Sequence, residues 1–143
     1  MGRDADHVDR ALNSSSGMPA LAGHSDLREV HRLVAAGDGQ AAPALDVSCH
    51  RVRTYVGAHL AVLGRTDATA FTAGIGENDA VVRARSLAAL EGLGIVLDEA
   101  CNSARSRASR VVSADGSPVA VLVVPTDEEP EMARQAAAVL GGG

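Results

Sequence analysis

The segment from residue 119 to residue 124, VAVLVV, is an unbroken apolar run rich in β-branched side chains. Such a run is typical of a short strand that is covered on both faces, because a strand with one face in water alternates apolar and polar residues. Covering both faces requires further layers, and the apolar periodicity elsewhere in the chain is mostly helical. We therefore predict a layered α/β fold that contains this strand.

Spacing of apolar side chains, together with glycine and proline positions, predicts the other elements. Four helices are expected at approximately residues 26–36, 40–63, 78–91 and 125–140. Strands are expected at residues 66–73 and 95–97 and in a hairpin of residues 110–113 and 119–124. Residues 1–12 are interpreted as a polar lead-in, residues 13–140 as one unit and residues 141–143 as a tail. These strands are too few for a self-sufficient sheet, which indicates a part of a larger fold.

The composition of the chain excludes several classes of function. All thirteen basic residues are arginine, so the chain has neither a P-loop lysine nor a Schiff-base lysine. The net charge of −5 and the scarcity of aromatic side chains, 1% of residues, argue against nucleic-acid binding. No apolar run is long enough for a membrane span. The two cysteines are far apart in the sequence, which fits free thiols in a reducing compartment better than a disulfide framework. We therefore expect a cytoplasmic protein with neither nucleic-acid nor membrane partners.

A glycine-rich junction between a predicted strand and a predicted helix is the first candidate for chemistry. It reads AFTAGIGEN over residues 70–78. Gly74 and Gly76 permit a sharp turn and a close approach of the backbone to a ligand, and a helix beginning near Asn78 would present N–H groups to a phosphate. The same pattern fits a tight turn that only changes the chain direction, and both interpretations stay open at this point.

An acidic segment, residues 126–129 with the sequence TDEE, follows the apolar strand and is the second candidate. Carboxylates at the end of a strand can hold Mg²⁺ together with waters and phosphates. Acidic side chains are also favoured by the helix dipole in the first turn of any helix. A simple helix start is therefore the alternative interpretation of this segment.

The start of the first predicted helix is the third candidate, because Asp26 and Arg28 are two residues apart there. Such a pair can contact a ribose or a base, while Asp26 also suits the role of helix N-cap. The five histidines, His31 among them, show no metal-ligand spacing and are interpreted as structural or surface residues. The arginines between Ser103 and Arg110 are interpreted as a solvated face.

Taken together, these candidates and the segments around them resemble the C-terminal part of acetate kinases. The similarity lies in five stretches in a fixed order, LNSSSGMPALAGHSDLREV, DVSCHRVRTYVGAHLAVLG, FTAGIGEN, LEGLGIVLDE and VLVVPTDEE. It extends from about Ala11 to Leu140. FTAGIGEN and PTDEE at their mutual distance are specific to the acetate, propionate and butyrate kinase group. The segments around SDLR and LEGLGI point to the acetate kinase branch.

The resemblance implies an actin/hexokinase/Hsp70-like (ribonuclease H-like) domain and transfer of the γ-phosphoryl group of ATP to acetate, giving acetyl phosphate and ADP. It implies that the full-length enzyme is a homodimer that needs Mg²⁺, with Glu128 as a metal ligand. It also implies that two segments of this chain contact the nucleotide. The residues concerned are Asp26, Leu27, Arg28, Gly74, Ile75, Gly76, Glu77 and Asn78.

The resemblance covers only part of such an enzyme, because acetate kinases are much longer than this chain. In the family, an N-terminal domain supplies an acetate-side arginine, a catalytic aspartate and a histidine, and the preceding half of the C-terminal domain supplies a second arginine. None of them has a counterpart in these 143 residues, so no catalytic residue is assigned. We expect the chain alone to show little or no kinase activity and to be marginally stable or self-associating. The alternatives are a non-catalytic nucleotide-binding remnant and a fragment of a propionate kinase.

Overall fold

Eight α-helices and three strands follow one another in a computed structural model that describes residues 4–126 and 128–141, with the backbone alone at residues 128–131 and 141. The elements are α1 (Ala5–Asn13), α2 (Met18–Ala22), α3 (Leu27–Ala35), α4 (Ala41–Leu63), β1 (Ala68–Phe71), α5 (Ala73–Asn78), α6 (Ala80–Leu87), α7 (Glu99–Ser103), β2 (Arg110–Val111), β3 (Ala120–Val123) and α8 (Glu128–Gly141). The predicted α/β arrangement is confirmed.

The three strands form one sheet with the order β1-β3-β2. β1 and β3 are parallel, with Phe71 opposite Val123, and the connection between them passes through α5, α6 and α7. β2 pairs antiparallel with β3, which confirms the hairpin predicted for residues 110–113 and 119–124. Because both parallel strands end at the same edge of the sheet, the segments that follow them begin close together.

β3 is the middle strand, and its side chains alternate in burial. Val121 and Val123 are fully buried, whereas Ala120 and Leu122 on the other face are half-buried. β-branched side chains suit such a packed, pleated surface. The prediction of a strand covered on both faces is therefore correct for one face only, since no second layer of the described chain closes the other face completely.

Two apolar clusters form the core, and α4 contributes to both. One cluster packs α6 and the segment after it against the sheet and consists of Leu87, Leu90, Ile95, Val112, Val119, Val121 and Val123. The other joins α3 to the first half of α4 through Val30, Ala41, Leu45 and Cys49. The apolar stripe predicted on α4 is buried in its first half. Towards its end the stripe emerges, and Leu63 is 66% exposed.

Some sequence-based assignments change in the structure. The polar lead-in contains a helix, α1, from Ala5 to Asn13. The segment predicted as a strand at residues 95–97 makes only an isolated bridge between Leu97 and Ser113, because the turn at Glu91–Leu93 leads directly into the core at Ile95. Residues 101–107, whose sequence fits either a helix or a loop, are helical only as far as Ser103, the end of α7.

Apolar side chains stay exposed at the end of α4 and on α8. Val62 is 84% exposed, and on α8 Val139 and Leu140 are 82% and 84% exposed. β1 lies at one edge of the described sheet and has no further strand beside it there. No helix in the described ranges combines the length and the apolarity that crossing a membrane requires.

We expect the isolated chain to self-associate, because these helical surfaces and the open edge of β1 favour contacts between molecules. Sedimentation velocity over a wide concentration range would show this as a shift towards larger species. Replacing both Val62 and Leu63 by Ser should move the distribution towards the monomer. Ala58→Ser, at an exposed position on the same helix, should leave it unchanged. A monomer at all concentrations with a sharp cooperative melt would contradict this expectation.

Candidate functional site

An open groove of about 1240 Å³ lies beyond the carboxyl ends of the parallel strands. The start of α3, residues 25–28, forms one wall together with His31. The opposite wall consists of Gly74, Ile75 and residues 77–81, from α5 and the beginning of α6. In sheets with parallel strands, ligands bind most often at this edge.

The α3 wall is organised by Asp26, the N-cap of α3. Its carboxylate accepts hydrogen bonds from the Arg28 backbone N–H at 2.9 Å and from Arg28 Nε and Nη2 at 3.0 and 2.6 Å. The bonds from the Arg28 side chain, and then the backbone bond, lower the pKa of Asp26 to about 2. The side chain of Arg28 is 92% exposed. Asp26 therefore caps the helix and also holds an exposed guanidinium at the groove.

The glycine-rich junction is itself a helix, α5, and does not form the sharp turn at Gly74 and Gly76 that its sequence predicts. The residue with left-handed backbone is Ala73, at φ +59°, and neither Gly74 nor Gly76 has positive φ. A Cβ at Gly76 would lie 3.3 Å from the Phe71 carbonyl carbon, whereas a Cβ at Gly74 would meet nothing within 4 Å. Gly76 thus permits close packing of α5 on β1, and Gly74 leaves free space at the groove.

The helix predicted to begin near Asn78 is a separate element, α6, and Asp79 is its N-cap. One Asp79 carboxylate oxygen accepts from the Val82 N–H at 2.9 Å. The amide of Asn78 belongs to α5 and donates to the Gly74 carbonyl at 2.8 Å. The expectation that the first N–H groups of this helix face a phosphate is therefore wrong for the Val82 N–H, because the cap occupies it.

Glu77 connects the glycine-rich segment to the end of β3. Its carboxylate accepts from the Thr126 backbone N–H at 2.8 Å and from Thr126 Oγ1 at 3.0 Å. The backbone bond, supported by the hydroxyl bond, lowers the pKa of Glu77. Two of the segments that were singled out in the sequence are thus in direct contact across the sheet edge.

The predicted metal ligand, Glu128, is the first residue of α8, but its side chain lies outside the described part of the structure, and so does all of Asp127. Among the side chains that are described, no group of three or more histidines, cysteines or carboxylates could hold a metal. Mg²⁺ binding by Glu128 stays a prediction.

Arg83 on α6 is the most deeply buried charged residue described, at 1% exposure, and the sequence analysis missed it. Its guanidinium donates to the carbonyls of Gly76 and Glu77 at 2.7 and 3.0 Å and to the side-chain and backbone oxygens of Asn102 at 2.7 and 2.6 Å. Burial lowers the pKa of Arg83. The sequence signal that could have identified Arg83 is its spacing. It lies four residues before Leu87 and therefore on the buried face of α6.

Arginines form a third side of the groove. Arg105, Arg107 and Arg110 line it, so the segment interpreted as a solvated face also contributes to the candidate site. Arg110 Nε is buried and makes no hydrogen bond to any described atom. In a chain with a net charge of −5, this local positive charge favours an anionic ligand.

Comparisons with known proteins agree with this architecture. Residues 1–134 match the sequence profile of the Acetokinase family. The acetate kinase of Streptomyces avermitilis is 53% identical over 140 residues, which are 98% of this chain and 35% of that protein. The acetate kinase of Leifsonia xyli subsp. xyli is 51% identical over 142 residues, 99% of this chain and 36% of that protein.

Solved structures show the same similarity. The acetate kinase of Porphyromonas gingivalis superimposes with a TM-score of 0.87 at 35% identity, covering 97% of this chain and 35% of that one. The propionate kinase of Francisella tularensis subsp. tularensis SCHU S4 superimposes with a TM-score of 0.79 at 34% identity, covering 90% and 32%. The fold is a partial domain of the actin/hexokinase-like class. The chain belongs to the acetokinase family and spans about 35% of the length of the relatives it matches.

Replacing Arg83 by Lys should destabilise the protein by about 2 kcal/mol, because one ammonium cannot satisfy both groups of buried acceptors. The free energy of unfolding in urea, followed by circular dichroism, measures this. Arg85→Lys is the matched control, since Arg85 pairs with Asp46 at the surface and should change stability by less than about 0.5 kcal/mol. Equal unfolding free energies for the two variants would contradict the role of Arg83.

The Glu77–Thr126 contact should persist on mild acidification. Because the pKa of Glu77 is lower in the folded than in the unfolded chain, its stabilising effect is complete above the ordinary value of 4.5 and is lost as the pH falls through the lowered pKa. The amide chemical shift of Thr126 reports this titration by NMR. Glu77→Gln keeps an acceptor without the charge and should remove that step. A step centred at or above the ordinary value would count against the contact.

Proposed function

We propose that this chain provides the nucleotide-binding part of an acetate kinase, which transfers the γ-phosphoryl group of ATP to acetate and yields ADP and acetyl phosphate. The groove is the observation that supports this most directly. It gathers every predicted nucleotide-contacting residue except Gly76, from two segments distant in the sequence, at the carboxyl edge of parallel strands.

The two walls offer different contacts to a nucleotide. The exposed guanidinium of Arg28, oriented by Asp26, presents a planar cation that can stack on a base. On the opposite wall, Ile75 is 54% exposed and supplies apolar surface, and the free space at Gly74 permits close approach. The Asn78 side-chain oxygen has no partner among the described atoms and can accept from an exocyclic amine.

Charge along the groove suits the phosphates of the same ligand. The third side carries Arg105, Arg107 and Arg110, and none of these pairs with a described carboxylate. Their combined field would draw an anionic nucleotide towards the walls that hold its base and ribose.

Phosphoryl transfer needs in-line positioning and neutralisation of the charge that develops on the phosphoryl oxygens. Mg²⁺, held through Glu128, would supply part of that neutralisation. The family resemblance assigns the acetate-side arginine and the phosphoryl-stabilising arginine to parts of the enzyme other than the third that this chain spans. We therefore infer that the 143 residues bind and orient nucleotide but do not catalyse transfer alone.

Acetate is the preferred acceptor in this proposal, because the acetate kinases of Streptomyces avermitilis and Leifsonia xyli subsp. xyli are identical to this chain at about half of the matched positions. The solved structures do not separate the two acceptors, since the acetate kinase of Porphyromonas gingivalis is 35% identical to this chain and the propionate kinase is 34% identical. The competing proposal is a nucleotide-binding remnant without any catalytic partner.

A complementation experiment tests the function. The chain is mixed with the part of the Streptomyces avermitilis acetate kinase that precedes the matched region, and acetyl phosphate formed from ATP and acetate is trapped as the hydroxamate. We expect activity in the mixture and little from either part. Asn78→Asp should weaken it by placing a negative charge at the groove. Gln40→Glu, the same change of amide to carboxylate at an exposed position that does not line the groove, is the control. ADP binding without activity in the mixture would favour a nucleotide-binding remnant without a catalytic partner. Full activity of the chain alone would contradict the inference that it does not catalyse transfer by itself.

A further inference from the structure

A single side-chain hydrogen bond connects the two walls of the groove. His31 Nε2 lies 2.6 Å from Asp79 Oδ2, and the two residues are 48 positions apart in the sequence. Both are largely shielded, with side-chain exposures of 30% and 15%. Within residues 4–126, no other side-chain hydrogen bond joins α3 to the segment formed by α5 and α6. Among the residues described there, the contact is the only polar side-chain link between the walls, and it adds to the apolar packing of Val82 on α6 against the cluster that contains Val30.

Each end of the contact is rigidly held. Asp79 uses its other carboxylate oxygen to cap α6 at the Val82 N–H. His31 follows Val30, which is fully buried in the cluster of α3 and α4. Because an ionised carboxylate only accepts hydrogen bonds, Nε2 is the donor in this pair. Movement of one wall relative to the other would have to break this bond.

We propose that the His31–Asp79 hydrogen bond sets the separation of the two walls, and that His31 is a positioning residue for nucleotide binding. The inference rests on the proposed function, since it assumes that one adenine nucleotide contacts both walls at once. A groove held at the correct width loses less conformational freedom when the ligand binds, and this raises affinity. His31 itself lines the groove, and the role proposed for it is to set the separation of the walls, which a distance measurement without ligand distinguishes from a direct contact with the nucleotide.

The experiment measures ADP affinity of the 143-residue chain by isothermal titration calorimetry. His31→Phe keeps a ring of similar size without a donor, and we expect it to weaken ADP binding about tenfold. His31→Gln places an amide donor within reach of Asp79 and should recover most of the affinity. His59→Phe, the same change at an exposed position of α4 away from the groove, should have no effect.

A second measurement follows the wall separation in the chain without ligand. Spin labels at Ala35→Cys and Ala84→Cys, two exposed positions, in a Cys101→Ser background, report the distance between α3 and α6 by pulsed electron paramagnetic resonance. His31→Phe should broaden or lengthen the distance distribution, and His31→Gln should restore it.

The outcomes distinguish failure of the inference about His31 from failure of the proposed function. ADP binding that is equal in the unaltered chain and in His31→Phe overturns this inference and leaves the proposed function standing. Absence of ADP binding by the unaltered chain overturns the proposed function, and the inference about nucleotide affinity is lost with it. An unchanged distance distribution in His31→Phe overturns the role of the hydrogen bond in setting wall separation, whichever result the titration gives.

Discussion

The buried guanidinium of Arg83 is the interaction on which the groove depends. A cation inside a protein is tolerated only when acceptors replace its water. Here the acceptors are the last carbonyls of α5, where a helix carries partial negative charge, and Asn102 on α7. Arg83 thereby satisfies the end of α5 and connects three helices. With six residues, α5 is too short to be stable by itself, so it depends on tertiary contacts, and the contact with Arg83 is the most deeply buried of its polar ones.

Two further contacts hold α5 and the start of α6 from other directions. Glu77 ties α5 to Thr126 at the end of β3, and Asp79 ties the start of α6 to His31 on α3. The same short stretch of chain is thus fixed to the sheet edge, to a neighbouring helix and, through Arg83, to α7. Preorganisation of this kind is what a binding groove made from separate segments requires, because each segment alone could adopt several positions.

The exposed surfaces have an equally direct explanation. β1 has one unpaired edge, and two helices expose Val62 and Leu140 to solvent. Such surfaces are unfavourable in a stable monomer. They are typical of a partial domain, and this chain spans about 35% of the length of the relatives it matches. The half-buried face of β3, with Ala120 and Leu122, is a further incompletely covered surface of the same kind.

The sequence by itself determined the fold class, the long helix, the hairpin and the family, because these rest on local periodicity, turn residues and motifs read in order. It also identified Asp26 and the glycine-rich segment, since helix caps and close-packed glycines have local signatures. Only the tertiary structure decided that Gly76 packs against Phe71, whereas the free space that a ligand could enter lies at Gly74. It also decided that Arg83 is buried and that His31 meets Asp79. Such contacts join residues far apart in the sequence, and no local pattern specifies which distant partner packing will bring within a hydrogen bond.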